Sequence, residues 1–166
     1  MNTGKLLVAT PSVIGDFNFH RSVVLLTNYK TSGSVGFILN KKLDYTLDEV
    51  MEDVNFKFPL YFGGPVEQDN LFYIHTLGDE ISNSIPISKA LYWNGDFKSV
   101  NHLLKTGKLN QENIRFFLGY SGWTEGQLEE EIVEKSWKYF EIKSALELMK
   151  MPTKEMWREC MAALGG

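Results

Sequence analysis

The sequence predicts an α+β fold in a single domain, and three observations carry the prediction. Short runs rich in β-branched and aromatic residues cluster ahead of amphipathic stretches and do not alternate with them one by one, unlike a doubly wound α/β sheet. Apolar residues make up 43% of the chain and charged residues 23%, both near the globular norm. The 166 residues contain no internal repeat, low-complexity linker or change of composition. Residues 1–166 therefore read as one domain, large enough to bury a core without disulfides or metals.

Leu6 to Ala9 is an apolar run stopped by Thr10-Pro11, a buried strand ending at proline. Ser22 to Asn28 (SVVLLTN) has the β-branched composition of a central strand. Lys30 to Ser34 is a turn signal and Val35 to Asn40 the returning strand of a hairpin. Thr46 to Val54 reads as a helix, with a Thr46/Glu49 capping box and Leu47, Val50, Met51 and Val54 on one side. Phe58 to Phe62 is a short strand ending in Gly63-Gly64-Pro65, and Leu71 to Leu77 a central strand. Ile85 to Trp93 is a weaker strand whose Pro86 confines it to an edge or an entry position. Asp96 opens a second helix, Phe97 to Thr106, and Gly107 closes it.

Arg115 to Glu131 (RFFLGYSGWTEGQLEEE) is the most distinctive stretch. An apolar strand, Arg115 to Tyr120, meets a pair of glycines and a tryptophan, and a helix, Glu125 to Lys135, follows. Ser136 to Ile142 alternates as a late strand. Ser144 and Glu147 form a capping box for Ala145 to Met151. Thr153 caps a terminal helix, Lys154 to Leu164, which Gly165-Gly166 ends.

Composition excludes several function classes. No window approaches the ~18 consecutive apolar residues of a membrane span, and the N-terminal apolar run is too short for a secretory h-region. The lone Cys160 excludes an internal disulfide framework and reads as core. A cytoplasmic protein is expected. The net charge of −4 and the scattered Lys and Arg disfavour direct nucleic-acid contact and attraction to anionic lipid.

Gly119 to Trp123 (GYSGW) approaches the nucleophile elbow G-x-S-x-G, but Trp123 replaces the final glycine. His20, His75 and His102 all precede Ser121, whereas an α/β-hydrolase needs its histidine afterwards. A hydrolase or transferase using Ser121 or the nearby carboxylates is thus the alternative reading. Thr124 and Gln127 fit a capping box, and Trp123 and Leu128 a hydrophobic staple. Gly122 and Gly126 remain as points where a ligand or another backbone could come close. Glu129, Glu130, Glu131 and Glu134 read as a solvated helix face with no histidine near enough in sequence for a metal set. No catalytic residue, metal or cofactor is assigned.

GYSGWTEGQLEEEI resembles the signature of the AlgH/YqgE-like family of bacterial proteins. GKLLVATP, RSVVLLTNYKTSGSVGFILNK, YFGGPV and MWRECMAALG match the same family in the same order and span nearly the whole chain. The resemblance implies a compact α+β fold with a bifurcated, partly barrel-like, mostly antiparallel sheet flanked by helices. It implies little about function: some members are labelled transcriptional regulators, without a recognised DNA-binding motif. Relatives commonly have alanine where this chain has Ser121. The matching positions place a cleft for a small molecule or protein partner where two segments meet. One is Gly63, Gly64 and Pro65; the other is Gly119, Gly122, Trp123, Gly126, Gln127, Leu128 and Glu129, and the candidate cleft residues of the second are Tyr120, Ser121, Gly122, Trp123, Gly126, Gln127 and Glu129. A non-enzymatic binding or regulatory protein is the expectation.

Overall fold

The computed structural model describes residues 3–11, 19–30 and 32–165. Part of the N-terminal stretch, Thr31 of the first turn signal and the terminal Gly166 lie outside the described residues.

Strands β1 (Lys5–Ala9), β2 (Val23–Lys30) and β3 (Gly33–Ile38) form an antiparallel meander, with Leu6 opposite Leu25 and Val24 opposite Ile38. These runs are continuously apolar because both faces of the sheet are covered. Leu6, Val8, Leu25 and Phe37 enter one core, while the alternate residues Leu7, Ala9, Val24, Leu26 and Ile38 enter another.

The next segment departs from expectation. β4 (Lys42–Thr46) precedes a single helical turn, α1 (Leu47–Val50), in place of a helix running to Val54. The Thr46 hydroxyl donates to the Asp48 carboxylate, and no side-chain cap bond forms. A short helix needs tertiary packing to persist. Of the four helical residues only Leu47 is buried, and Val50 is 41% exposed, so nothing holds a longer helix.

β5 (Pro59–Phe62) and a long β6 (Val66–His75) follow. The run from Ile85 to Trp93 is two strands, β7 (Ile85–Ser88) and β8 (Leu91–Trp93), hinged at Ala90 with φ +62°. Pro86 does sit on the outermost strand of the sheet. Helix α2 (Phe97–Lys105) buries Val100, Leu103 and Leu104, as its period requires.

β9 (Ile114–Thr124) runs straight through GYSGW, so the anticipated strand-turn-helix elbow is a strand interior. Helix α3 (Gln127–Val133) begins only after Gly126. β10 (Trp137–Glu141), α4 (Ala145–Lys150) and α5 (Met156–Ala163) complete the chain. The Ser144 cap forms, its hydroxyl accepting from Glu147 N–H at 3.0 Å.

The ten described strands make one open sheet in the order β10-β1-β2-β3-β9-β6-β8-β7, with β5 joined to β9 and β4 to β5. All pairs are antiparallel except β5 with β9. The sheet forks at β9. Phe116 to Leu118 pair with β5 on one edge and β6 on the other, whereas Ser121 to Thr124 pair with β3. Helices α4 and α5 close one face of the meander through Leu148, Met149, Met156 and Cys160. Leu128 of α3, with Trp123 and Trp137, closes the other.

Candidate functional site

The two glycine segments do meet, at the crotch of the fork. Gly63 N–H donates to Leu118 O of β9 (2.9 Å), and its carbonyl accepts from Ile38 N–H of β3 (2.9 Å). The contact is backbone on backbone. A Cβ on Gly63 would lie 2.3 Å from Gly119 O, and one on Gly64 2.1 Å from the Tyr120 carbonyl carbon. Glycine is needed here so that two chains can touch. Pro65 follows at the surface side, its carbonyl accepting from Gln68 Nε2.

Ser121 is fully buried, and its Oγ donates to Gly63 O at 3.0 Å. With its proton committed to a carbonyl, no base among its partners and no solvent access, this hydroxyl has none of the apparatus of an activated nucleophile. His75 is also fully buried. Its Nδ1 accepts from Leu77 N–H (3.1 Å) and its Nε2 lies 2.9 Å from Asn94 O, so Nε2 carries the proton and both nitrogens are used structurally. Burial pushes its pKa below the ordinary histidine value, against the raising effect of the Asn94 carbonyl. Among the described residues no group of three or more His, Cys, Asp or Glu could hold a metal ion.

The remaining candidates lie around α3. Gly126 is left-handed at φ +77° with open space around it, so backbone conformation explains the glycine. Gln127 Oε1 accepts from Thr124 N–H (3.0 Å) and from its hydroxyl (3.3 Å), which is one half of the anticipated capping box. Gly122, Trp123 and Gln127 share a depression of about 210 Å³ with Phe19, Glu131 and Trp137. Glu131 holds it together: Oε1 accepts from the indole N–H of Trp123 (3.1 Å) and of Trp137 (2.9 Å). Three aromatic rings 5.6 to 6.3 Å apart pack on one another and leave no room between them for a guest. Glu129 ties α3 to β2 by accepting from Tyr29 OH at 3.1 Å.

A larger cleft, about 580 Å³, lies at the other end of β9. It is lined by Lys42, Phe58, Pro59 and Tyr61, by Met149 to Thr153, and by the buried Arg115. Arg115 is 7% exposed. Its guanidinium donates to Leu39 O and Met149 O, each at 3.4 Å, and lies 5.0 Å from the centre of the Tyr61 ring. Among the described residues no carboxylate forms an ion pair with it. Burial lowers its pKa, offset in part by Tyr61, but a guanidinium stays protonated. The result is a desolvated cation with two long carbonyl bonds, flanked by Lys42 and Lys150 and opposed by Glu112 alone. Sequence reasoning treated Arg115 only as the start of a strand. The available signal was a charge inside the apolar run IRFFL, where a strand buried on both faces ordinarily carries none.

An α+β protein with a forked open sheet, its crossing packed glycine on glycine, is the class this fold defines. The chain belongs to the AlgH-like family, whose model matches residues 6–166. It is 43% identical over 164 residues to a UPF0301 protein of Bacteroides thetaiotaomicron, covering 98% of this chain and 82% of that protein. It is 42% identical over 168 residues to one of Cytophaga hutchinsonii, covering 100% and 91%. The solution structure of AlgH from Pseudomonas aeruginosa superposes with a TM-score of 0.78 at 26% identity, covering 98% of this chain and 88% of that one. A crystal structure of a Corynebacterium diphtheriae protein shares the fold at 21% identity, with a TM-score of 0.79 over 98% and 87%. No described helix is long and apolar enough to cross a membrane.

Proposed function

We propose that this chain is a non-enzymatic binding protein that takes a small anionic ligand in the Arg115 cleft. The observation that carries the reading is a buried arginine, 7% exposed, that lines a cleft with no carboxylate paired to it among the described residues. A buried charge without a counter-ion is costly, and an anion entering the cleft would offset that cost. Lys42 and Lys150 at the rim would add attraction, and the planar fork of Arg115 suits a phosphate or carboxylate. The fork glycines serve the same site indirectly. They hold β5 against β9, which sets the Tyr61 ring over Arg115. A cytoplasmic setting, one functional domain over residues 1–166, and regulation exerted through ligand or protein partner belong to the same proposal. The serine-based alternative lacks support, since Ser121 has neither a base nor access.

The test is thermal unfolding and calorimetric titration with inorganic phosphate and sulfate, at ionic strength matched with chloride. Stabilisation that grows with the logarithm of ligand concentration is expected, reaching about 2.7 kcal/mol at a hundredfold excess over Kd, with a saturable calorimetric isotherm. It should be lost in Arg115→Met and weakened in Lys42→Ala/Lys150→Ala, whose exposed side chains leave folding intact. Stabilisation equal to that by chloride, or retained in both variants, refutes the proposal.

A further inference from the structure

A second cleft, about 250 Å³, adjoins the first, and Thr153 lines both. Around the second stand Arg21, Lys41, Lys154 and Arg158, with Glu155 as its carboxylate. Glu155 is already paired with Arg158 at 3.5 Å, and the Lys41 ammonium donates to His20 O at 3.1 Å. Arg21 lies over the Trp157 ring at 5.3 Å, and neither it nor Lys154 forms an ion pair among the described residues. Among the described residues, the two clefts are lined by seven of the chain's seventeen Lys and Arg but by two of its twenty-one Asp and Glu. The fold has gathered cations that are scattered in sequence.

We infer that the ligand is a small molecule carrying two separated phosphate groups, one over Arg115 and one between Arg21 and Lys154, with its body passing Thr153. This deepens the anion-site reading and rests on it. The charge at each position selects phosphate over a single carboxylate. Among the described residues, Lys42, Arg115 and Lys150 share the first cleft with Glu112, and Arg21, Lys154 and Arg158 share the second with Glu155, Lys41 being engaged elsewhere. Each excess matches the roughly −1.5 to −2 charge of a phosphate monoester, and one carboxylate would leave at least one cation unmet. The Thr153 hydroxyl makes no hydrogen bond among the described residues and so can serve a ligand that crosses from one cleft to the other.

Calorimetry with two probe pairs tests the inference: adenosine 3′,5′-bisphosphate against adenosine 5′-monophosphate, and fructose 1,6-bisphosphate against fructose 6-phosphate. At least one bisphosphate should bind about tenfold or more tightly than its monophosphate. In Arg21→Ala/Lys154→Ala, where both side chains are exposed, that ratio should fall to within about twofold. If monophosphates or inorganic phosphate bind in an Arg115-dependent way and neither bisphosphate gains, this inference fails while the anion site stands. A gain that survives the double substitution also overturns it. If none of the phosphates binds, both readings fall.

Discussion

Alanine at Gly64 should be the most damaging single methyl group that can be added to this protein. Its Cβ would lie 2.1 Å from the Tyr120 carbonyl carbon, 2.2 Å from Tyr120 O and 2.3 Å from Ser121 N, all backbone atoms that no rotamer can move. The two strands of the fork would have to separate. Overpacking of this kind costs about 1–3 kcal/mol, and the φ of +155°, unusual for any residue but glycine, adds about 1–3 kcal/mol. The total, about 2–6 kcal/mol, is a large share of the ~5–15 kcal/mol that holds a domain folded. Gly126→Ala meets nothing within 4 Å and carries only the strain of φ +77°, about 1–2 kcal/mol. Gly122→Ala places its methyl 3.5 Å from the Tyr120 ring with no unusual φ, so it should change stability by less than about 0.5 kcal/mol. Urea unfolding followed by tryptophan fluorescence measures all three. A Gly64→Ala loss below about 1 kcal/mol, or a Gly122→Ala loss as large as that at Gly64, would refute the close-packed fork.

Two further outcomes follow from buried polar groups. The folded His75 pKa lies below the unfolded value of about 6.5, so as pH falls through that value the unfolded chain takes up a proton that the folded chain refuses. Stability is full above about pH 6.5 and declines below it, by at most about 1.4 kcal/mol per pH unit, until the folded pKa is reached. His75→Gln should remove that decline between pH 7.5 and 5.5; an unchanged slope would show that another group causes it. Glu131→Ala strips the acceptor from two indole N–H groups and should cost about 2–3 kcal/mol by the same urea assay, so a loss under about 0.5 kcal/mol would deny that carboxylate its structural role.

Much of the fold was legible because local pattern and tertiary environment agree. β1 and β2 follow their apolar runs, β10 follows the alternating stretch that predicts it, and α4 begins at the serine that caps it. Expectation failed where the fold overrides a local signal. Thr46 and Glu49 have the letters of a capping box, but without a surface to bury Val50 the helix stops after one turn. GYSGW has the letters of an elbow, but β3 pairs with Ser121 to Thr124 and carries the strand onward. The meeting of the GGP and GYSG segments was anticipated; close approach by a ligand or another backbone was expected at Gly122 and Gly126, and a second backbone comes close instead at Gly63, Gly64 and Gly119. The Arg115 cleft was invisible for a stronger reason. Its cations come from β4, β9 and the last turn of α4, which are far apart in sequence and converge only in the folded chain.

That convergence also changes the meaning of the net charge. An overall −4 argued against anionic partners, yet the charge is divided between two sides of the meander. Glu129, Glu130 and Glu131 lie on α3, which covers one face, and Glu125 and Glu134 flank that helix. The basic clefts border the connection between α4 and α5, which cover the other. At physiological salt a charge is felt over about 8 Å. A compact anion seated over Arg115 therefore responds to Lys42 and Lys150, whereas a long polyanion extending past the clefts also meets the acidic remainder of the surface. Under the proposed function, the charge distribution that disfavours a long polyanion admits a small phosphate, and the discrimination is by the size of the anion.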